Sequence, residues 1–206
     1  MCRRSLFPYI EMYSDIMRRA PLNRKKKGAL EEQMTEIRLQ DWIRDIPDFP
    51  QRGVLFKDIT PMLQDGAAFR AALDRLAAHY AGAGIQSVVG VESRGFIFGA
   101  PLAYLLNCGF VPVRKFGKLP AQTVSVEYTL EYGTNIVEMH TDSIKPGERV
   151  LIVDDLLATG GTVSATIELV EKLGGHIAGI AFLVELLGLH GRDHLKGYDV
   201  FALIKY

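Results

Sequence analysis

Cysteine is scarce: Cys2 and Cys108 are the only two in 206 residues. A disulfide framework or a thiolate zinc cluster needs more, so a reducing compartment, the cytoplasm, is the expected setting. No apolar run reaches the roughly 18 residues that a membrane span requires. The opening MCRRSLFPYIEMYSDIM is basic, but Glu11, Asp15 and its tyrosines interrupt the continuous apolar stretch of a secretory signal. Net charge is also lacking, since 24 Lys and Arg balance 24 Asp and Glu. That balance hides an asymmetry: Met1–Gln33 carries eight basic residues against four acidic, and the remainder sixteen against twenty. An acidic remainder makes a poor footprint for a phosphate backbone, and the basic arm shows no helix-turn-helix or aromatic-interleaved pattern. Nucleic acid and membrane are therefore not expected partners. Internal repeats and low-complexity blocks are absent too.

The chain does have enough apolar residues, 48% of the total, to fill one core. Arg24–Lys27 followed by Gly28 reads as a solvated linker, which places one domain at residues 34–206 behind a basic extension at 1–33. The extension is an upstream-start artefact, a loosely ordered arm or a functional tail. Ile37, Trp42 and Ile43 share one face if Met34 onward is helical, with Pro47 as the stop.

Farther on, strand and helix signals alternate. Phe69, Leu73, Leu76 and Tyr80 mark a helix, Ser87–Val91 a short apolar strand, Gly95–Leu106 a second helix and Phe110–Val113 another strand. Two β-rich runs, Thr123–Thr129 and Asn135–His140, flank LEYGT and read as an inserted hairpin. Val150–Val153 lacks polar alternation, as a strand buried on both faces does. Val163, Ile167 and Val170 give the stripe of a helix that Gly174 and Gly175 end. Ile177–Leu186 and Val200–Ile204 are the last strands. The rhythm is that of an α/β fold with a mainly parallel sheet flanked by helices.

The chemistry concentrates in VLIVDDLLATGGTVSA, Val150–Ala165. In an open parallel sheet, ligands gather beyond the carboxyl ends of the strands, and Asp154 and Asp155 occupy that place. Behind them Ala158, Thr159, Gly160, Gly161 and Thr162 can turn tightly and present backbone N–H groups and hydroxyls at the positive end of a helix, a seat for one phosphate. A triphosphate loop would carry lysine after its second glycine, whereas here Thr162 follows Gly161 directly. One phosphate next to two acids suits a sugar phosphate whose hydroxyls donate to the carboxylates. The blander alternative is a helix cap and a glycine turn with no ligand.

The motif resembles the phosphoribosyl pyrophosphate (PRPP) site of the type I phosphoribosyltransferase family. The blocks IPDFPQRGVLFKDITP, VVGVESRGFIFGAPLA, PVRKFGKLPAQT and YTLEYG occur in the order found in its adenine-specific members. The resemblance runs from Ile37 to about Leu195 and does not reach Met1–Gln33. It implies a small N-terminal hood at about 47–61 and a β-hairpin lid at about 120–140. The implied reaction is purine salvage: adenine and PRPP give AMP and pyrophosphate through an oxocarbenium-like transition state, with Mg2+ bound mainly through PRPP and water near Asp154 and Asp155. A homodimer is implied as well.

Site roles follow from the same resemblance. Arg94, Arg114, Lys115 and Lys118 would contact pyrophosphate, and Ala158–Thr162 the 5′-phosphate. Phe56 would stack on adenine while the main chain of Leu55 and Lys57 reads its edge. Glu92-Ser93 would be a cis peptide. Where 6-oxopurine relatives place an acid, this chain has Ala158, so Glu131 of the lid becomes the candidate general acid, with Asp154, Asp155 and Arg94 as the other catalytic groups. Tyr128 and Tyr132 would close over the site. His190 and His194 could share a helix face, but no third metal ligand stands at a suitable spacing. Two rivals remain: a PRPP-sensing regulator without turnover, and a transferase for another base.

Overall fold

The central apolar runs assemble into one sheet, because strands without polar alternation need cover on both faces. The computed structural model describes residues 37–130 and 133–206, within which Leu39–Tyr206 form a compact unit. The extension at 1–33 and residues Glu131 and Tyr132 lie outside the described residues.

A 3-10 turn, Leu39–Trp42, leads into two short antiparallel strands, β1 (Arg44–Pro47) and β2 (Leu55–Asp58). The helix expected before Pro47 is therefore replaced by a strand. Pairing with β2 overrides the helical spacing, and two cross-strand ion pairs reinforce it, Arg44 with Asp58 and Lys57 with Asp45 at 2.7 Å. Helices α1 (Thr60–Gln64) and α2 (Gly66–Tyr80) follow. Asp65 sets the start of α2, its carboxylate accepting from the N–H groups of Ala67 and Ala68 at 3.0 and 2.8 Å.

The rest of the chain alternates as the periodicity predicts: β3 (Ser87–Val91), α3 (Gly95–Leu106), β4 (Gly109–Lys115), β5 (Thr123–Leu130), β6 (Gly133–His140), β7 (Arg149–Leu157), α4 (Gly161–Lys172), β8 (His176–Glu185) and β9 (Val200–Lys205). The sheet order is β5-β6-β4-β3-β7-β8-β9. Its five-strand centre, β4 to β9, is parallel, while β5 and β6 add an antiparallel edge. The inserted hairpin is thus part of the main sheet, joined to β4 through the pairs Arg114↔Glu138 and Lys115↔Val137.

Helix α3 packs on β3, β4 and β7, and α4 on β5 to β8. Val89, Ile152, Ile180 and Phe182 join Val163, Ile167 and Val170 of α4 in one buried cluster. The intervening strand residues, Val88 and Leu151, point to the opposite face and are equally buried.

Between β8 and β9 lie two 3-10 turns, Leu187–Leu189 and Gly191–Leu195, with His190 between them at φ 55°. His190 and His194 therefore do not share an α-helical face. No group of three or more metal-ligating side chains is found among the described residues.

Candidate active site

The sheet order reverses at β3. The chain leaves β3 for β4 on one side and later returns to β7 on the other, so a crevice opens beyond the carboxyl ends of β3 and β7. Strand β7 runs to Leu157, whereas its pairing with β3 ends at Gly90↔Val153. Asp154 and Asp155 are therefore in the strand, not beyond it as the sequence suggested. They are held on one side by β8, through Asp154↔Phe182, and released by β3 on the other. A cavity of about 330 Å³ opens there, and its lining includes Glu92, Arg94, Lys115, Tyr128, Asp154 and Asp155.

The loop after β3 closes onto the acids. A Cβ on Gly95 would stand 2.9 Å from both Asp154 Oδ1 and the Val153 carbonyl, so only glycine allows this approach. The neighbouring Arg94 places Nε 3.0 Å from Asp155 Oδ2. That oxygen is buried and has no hydrogen bond, because the guanidinium is close but not aligned to donate. Burial pushes Asp154 well above the usual carboxylate range, and the adjacent Asp155 adds to the effect. Burial likewise pushes Asp155 up, against the pull of Arg94. The pair is short of positive charge and is suited to receive a cation.

Arg94 also reaches toward the hood. Its guanidinium carbon lies 5.5 Å from the centre of the Phe56 ring, and Phe49 meets that ring edge-on at 5.2 Å. Leu55 is exposed, whereas the Lys57 ammonium binds Asp45 and sits 3.8 Å over the Tyr206 ring. Phe56 thus presents an aromatic face beside the acid pair with Arg94 between them. The bond joining Glu92 and Ser93 is cis.

The cationic loop after β4 is fastened by acids. Glu92 accepts from Arg114 Nη2 at 3.0 Å, from Arg114 Nε at 3.3 Å and from Lys115 N–H at 3.0 Å, and the Arg114 hydrogen bond holds Glu92 below its usual range. Arg114 Nη1 donates to the Lys118 carbonyl at 3.1 Å. Arg114 is therefore engaged within the loop, and among these basic residues it is Lys115 and Arg94 that line the cavity.

At the far end Ala158–Gly160 turn into α4, with Gly160 at φ 88°. The first N–H groups of α4 have no intrahelical partner, which leaves this turn able to accept an anion. Thr162 Oγ1 donates to the Tyr128 hydroxyl at 3.2 Å, which ties the hairpin to this turn. Gly191 packs behind it, where a Cβ would overlap the Ala158 carbonyl oxygen.

The structure thus gathers Arg94, Lys115, Tyr128, Asp154, Asp155 and Thr162 around one cavity. Leu55–Lys57, Arg114, Lys118 and Ala158–Gly161 do not line it. Residues the sequence did not single out are Asn135, opposite Tyr128 in the β5–β6 register, Gly191, and the buried Glu138. An acid within the β-rich run NIVEMH was a usable signal for Glu138. Nothing local marked the other two.

Residues 60–204 match the phosphoribosyl transferase domain. An adenine phosphoribosyltransferase of Halothermothrix orenii is 56% identical over 169 residues, 82% of this chain and 99% of that protein. The solved adenine phosphoribosyltransferase of Thermoanaerobacter pseudethanolicus superposes with TM-score 0.80 at 54% identity, covering 86% of this chain and 99% of the other. That of Saccharomyces cerevisiae, solved with adenine and an imino-altritol bisphosphate, gives 0.77 at 39% identity over 84% and 99%.

Proposed function

The chain belongs to the phosphoribosyl transferase domain family, and within it to the adenine phosphoribosyltransferases; we propose that the cavity between β3 and β7 is where its chemistry occurs. The reaction transfers the 5-phosphoribosyl group from PRPP to adenine, giving AMP and pyrophosphate in purine salvage. The observation that carries the assignment of the site is the single arrangement of Asp154, Asp155, Arg94 and Phe56, in which an arginine bridges an electron-rich ring and a buried acid pair.

Breaking the anomeric bond leaves positive charge on the ribose and negative charge on pyrophosphate. Asp154 and Asp155 bind the ribose hydroxyls and lie next to the developing cation, whose approach favours their ionised form. Their raised pKa values in the free protein support this reading. Arg94 and Lys115 take the charge of the leaving group from the cavity wall. Arg114 and Lys118 complete the loop, and Arg114 must exchange its Glu92 partner to touch pyrophosphate. Backbone N–H groups from Ala158 to Thr162 seat the 5′-phosphate. Adenine lies on Phe56, its edge read by the main chain of Leu55 and Lys57. The yeast relative was solved with both adenine and an imino-altritol bisphosphate, which supports a protein of this family that takes a base and a bisphosphate together.

Mg2+ fits the donor set. The described residues supply no protein cage, but the acids with an incompletely satisfied Oδ2 suit a hard cation that keeps water and substrate oxygens. When bound, it neutralises pyrophosphate charge. Asp154 and Asp155 would hold it through those waters. Ala158 leaves no acid near the purine, so Glu131 serves as the general acid, and Tyr128 with Tyr132 excludes water. A cytoplasmic homodimer completes the reading; the exposed Ile97 and Tyr104 on α3 offer an apolar face for pairing.

Incubation with PRPP, Mg2+ and each nucleobase separately tests the function. AMP from adenine and little product from hypoxanthine, guanine or uracil is expected. Absence of AMP, with PRPP bound but unconsumed, would support the sensor instead.

A further inference from the structure

Glu138 lies on β6 directly across from Arg114 and is only 3% exposed. A carboxylate so buried must be satisfied, since leaving it without partners is costly. Among the described residues no cation pairs with it. Its partners are instead backbone groups of the cationic loop: Oε1 accepts from Lys118 N–H and from Leu119 N–H, both at 3.0 Å, and Oε2 accepts from Thr123 Oγ1 at 3.4 Å. Two successive amides converging on one oxygen fix the direction of the chain there, as backbone wraps an anion.

We propose that Glu138 is a positioning residue for pyrophosphate: its buried carboxylate anchors the far end of the loop Lys115–Leu119, whose near end Glu92 anchors, so that the loop's cations are presented in place before substrate arrives. The proposal rests on the reading of that loop as the pyrophosphate contact. The physical reason is preorganisation. Lys115, Phe116, Gly117 and Lys118 are exposed, and Gly117 is at φ 77°. Such a segment, left free, would have to be ordered on each binding event and would lose affinity by that cost. Glu92 at Lys115 N–H and Glu138 at Lys118 and Leu119 N–H remove the freedom in advance. A carboxamide can accept the same two N–H bonds, whereas a methyl group cannot, so the role belongs to the acceptor oxygen rather than to the charge.

The test is steady-state kinetics of the full chain in both directions for Glu138→Ala, Glu138→Gln and Lys115→Ala, with KM measured for pyrophosphate, PRPP, adenine and AMP. Glu138→Ala is expected to raise the KM values of pyrophosphate and PRPP about tenfold while those of adenine and AMP stay within about twofold, and Glu138→Gln to restore most of the loss. Equal changes for all four ligands, no change in any, or a Gln variant as impaired as Ala would overturn the proposal. If Glu138→Ala does not fold, Glu138→Asp supplies the test, because it keeps the acid but withdraws it by one methylene and should show the same split. Lys115→Ala separates the two levels. Unchanged pyrophosphate KM in that variant removes the loop reading, and the proposal with it; a raised KM there with none in Glu138→Ala removes the proposal alone.

Discussion

In the free protein, burial and the neighbouring Asp155 push Asp154 up from 3.8, and burial pushes Asp155 up although Arg94 stands 3.0 Å away. A carboxyl raised on folding contributes stability that is complete below 3.8 and is lost as pH rises through its folded value. The pair therefore destabilises the unliganded protein at neutral pH. Asp154→Asn is expected to raise the thermal midpoint at neutral pH, flatten its decline with rising pH, and slow AMP formation by about a hundredfold. Thermal scans across pH with parallel turnover assays check all three; a lower midpoint at neutral pH would contradict the burial argument. Glu131 raises a different question: it is proposed as the general acid for adenine leaving AMP and, in the forward direction, as the acceptor of the proton adenine loses when its new glycosidic bond forms. Glu131→Ala should lower kcat by about a hundredfold with little change in PRPP affinity, and nearly full turnover would remove it from the mechanism.

The element behind Ala158–Gly160, the turn proposed to seat the 5′-phosphate, is the 3-10 segment Gly191–Leu195. Its entry residue meets the Ala158 carbonyl where a side chain has no room, and a Cβ on Gly160 would in turn come within 2.7 Å of the Gly191 carbonyl. Arg192 clamps the segment, donating to Glu185 at 2.8 and 2.6 Å and to the Val200 carbonyl at 2.8 Å. The turn is thus braced by a distant part of the chain. Gly191→Ala is expected to cost about 2 kcal/mol of stability and to displace the turn. Its kinetic signature would be a higher KM for PRPP and AMP, which share the 5′-phosphate, with adenine KM unchanged. A stable variant with wild-type kinetics would show that the packing does not set the turn.

At the scale of the molecule, the crevice exists because the sheet reverses its order at β3 and because β7 outruns it. Both depend on Leu39–Tyr206 as a unit. Relatives matched over 97–99% of their own length align with 82% of this chain. A protein beginning at Met34 is accordingly expected to keep kcat and both forward KM values within about twofold. A larger loss, measured side by side with the full chain, would assign a function to residues 1–33.

Periodicity alone located β3, α3, α4 and the carboxyl half of the sheet, since buried strands and amphipathic helices carry their patterns locally. Two acids before a glycine turn, with lysine missing, already spoke for a sugar phosphate. The same local logic failed near Trp42, where helical spacing yields to pairing between β1 and β2. It passed over Glu138, whose place as an acid within the β-rich run NIVEMH was a usable signal but whose partners, the N–H groups of Lys118 and Leu119, lie elsewhere in the chain, and it had no means of finding Gly191, which is constrained by the distant carbonyl of Ala158. Local pattern was enough for most of the elements and for a chemical reading of the motif. The folded chain was needed to show that Arg94 bridges Phe56 and Asp155, that Arg114 is held by Glu92, and that the acids lie within a strand freed on one side. Backbone preference acts over a few residues, whereas a charge, a close contact or a strand's last partner is settled by whatever the whole fold brings beside it.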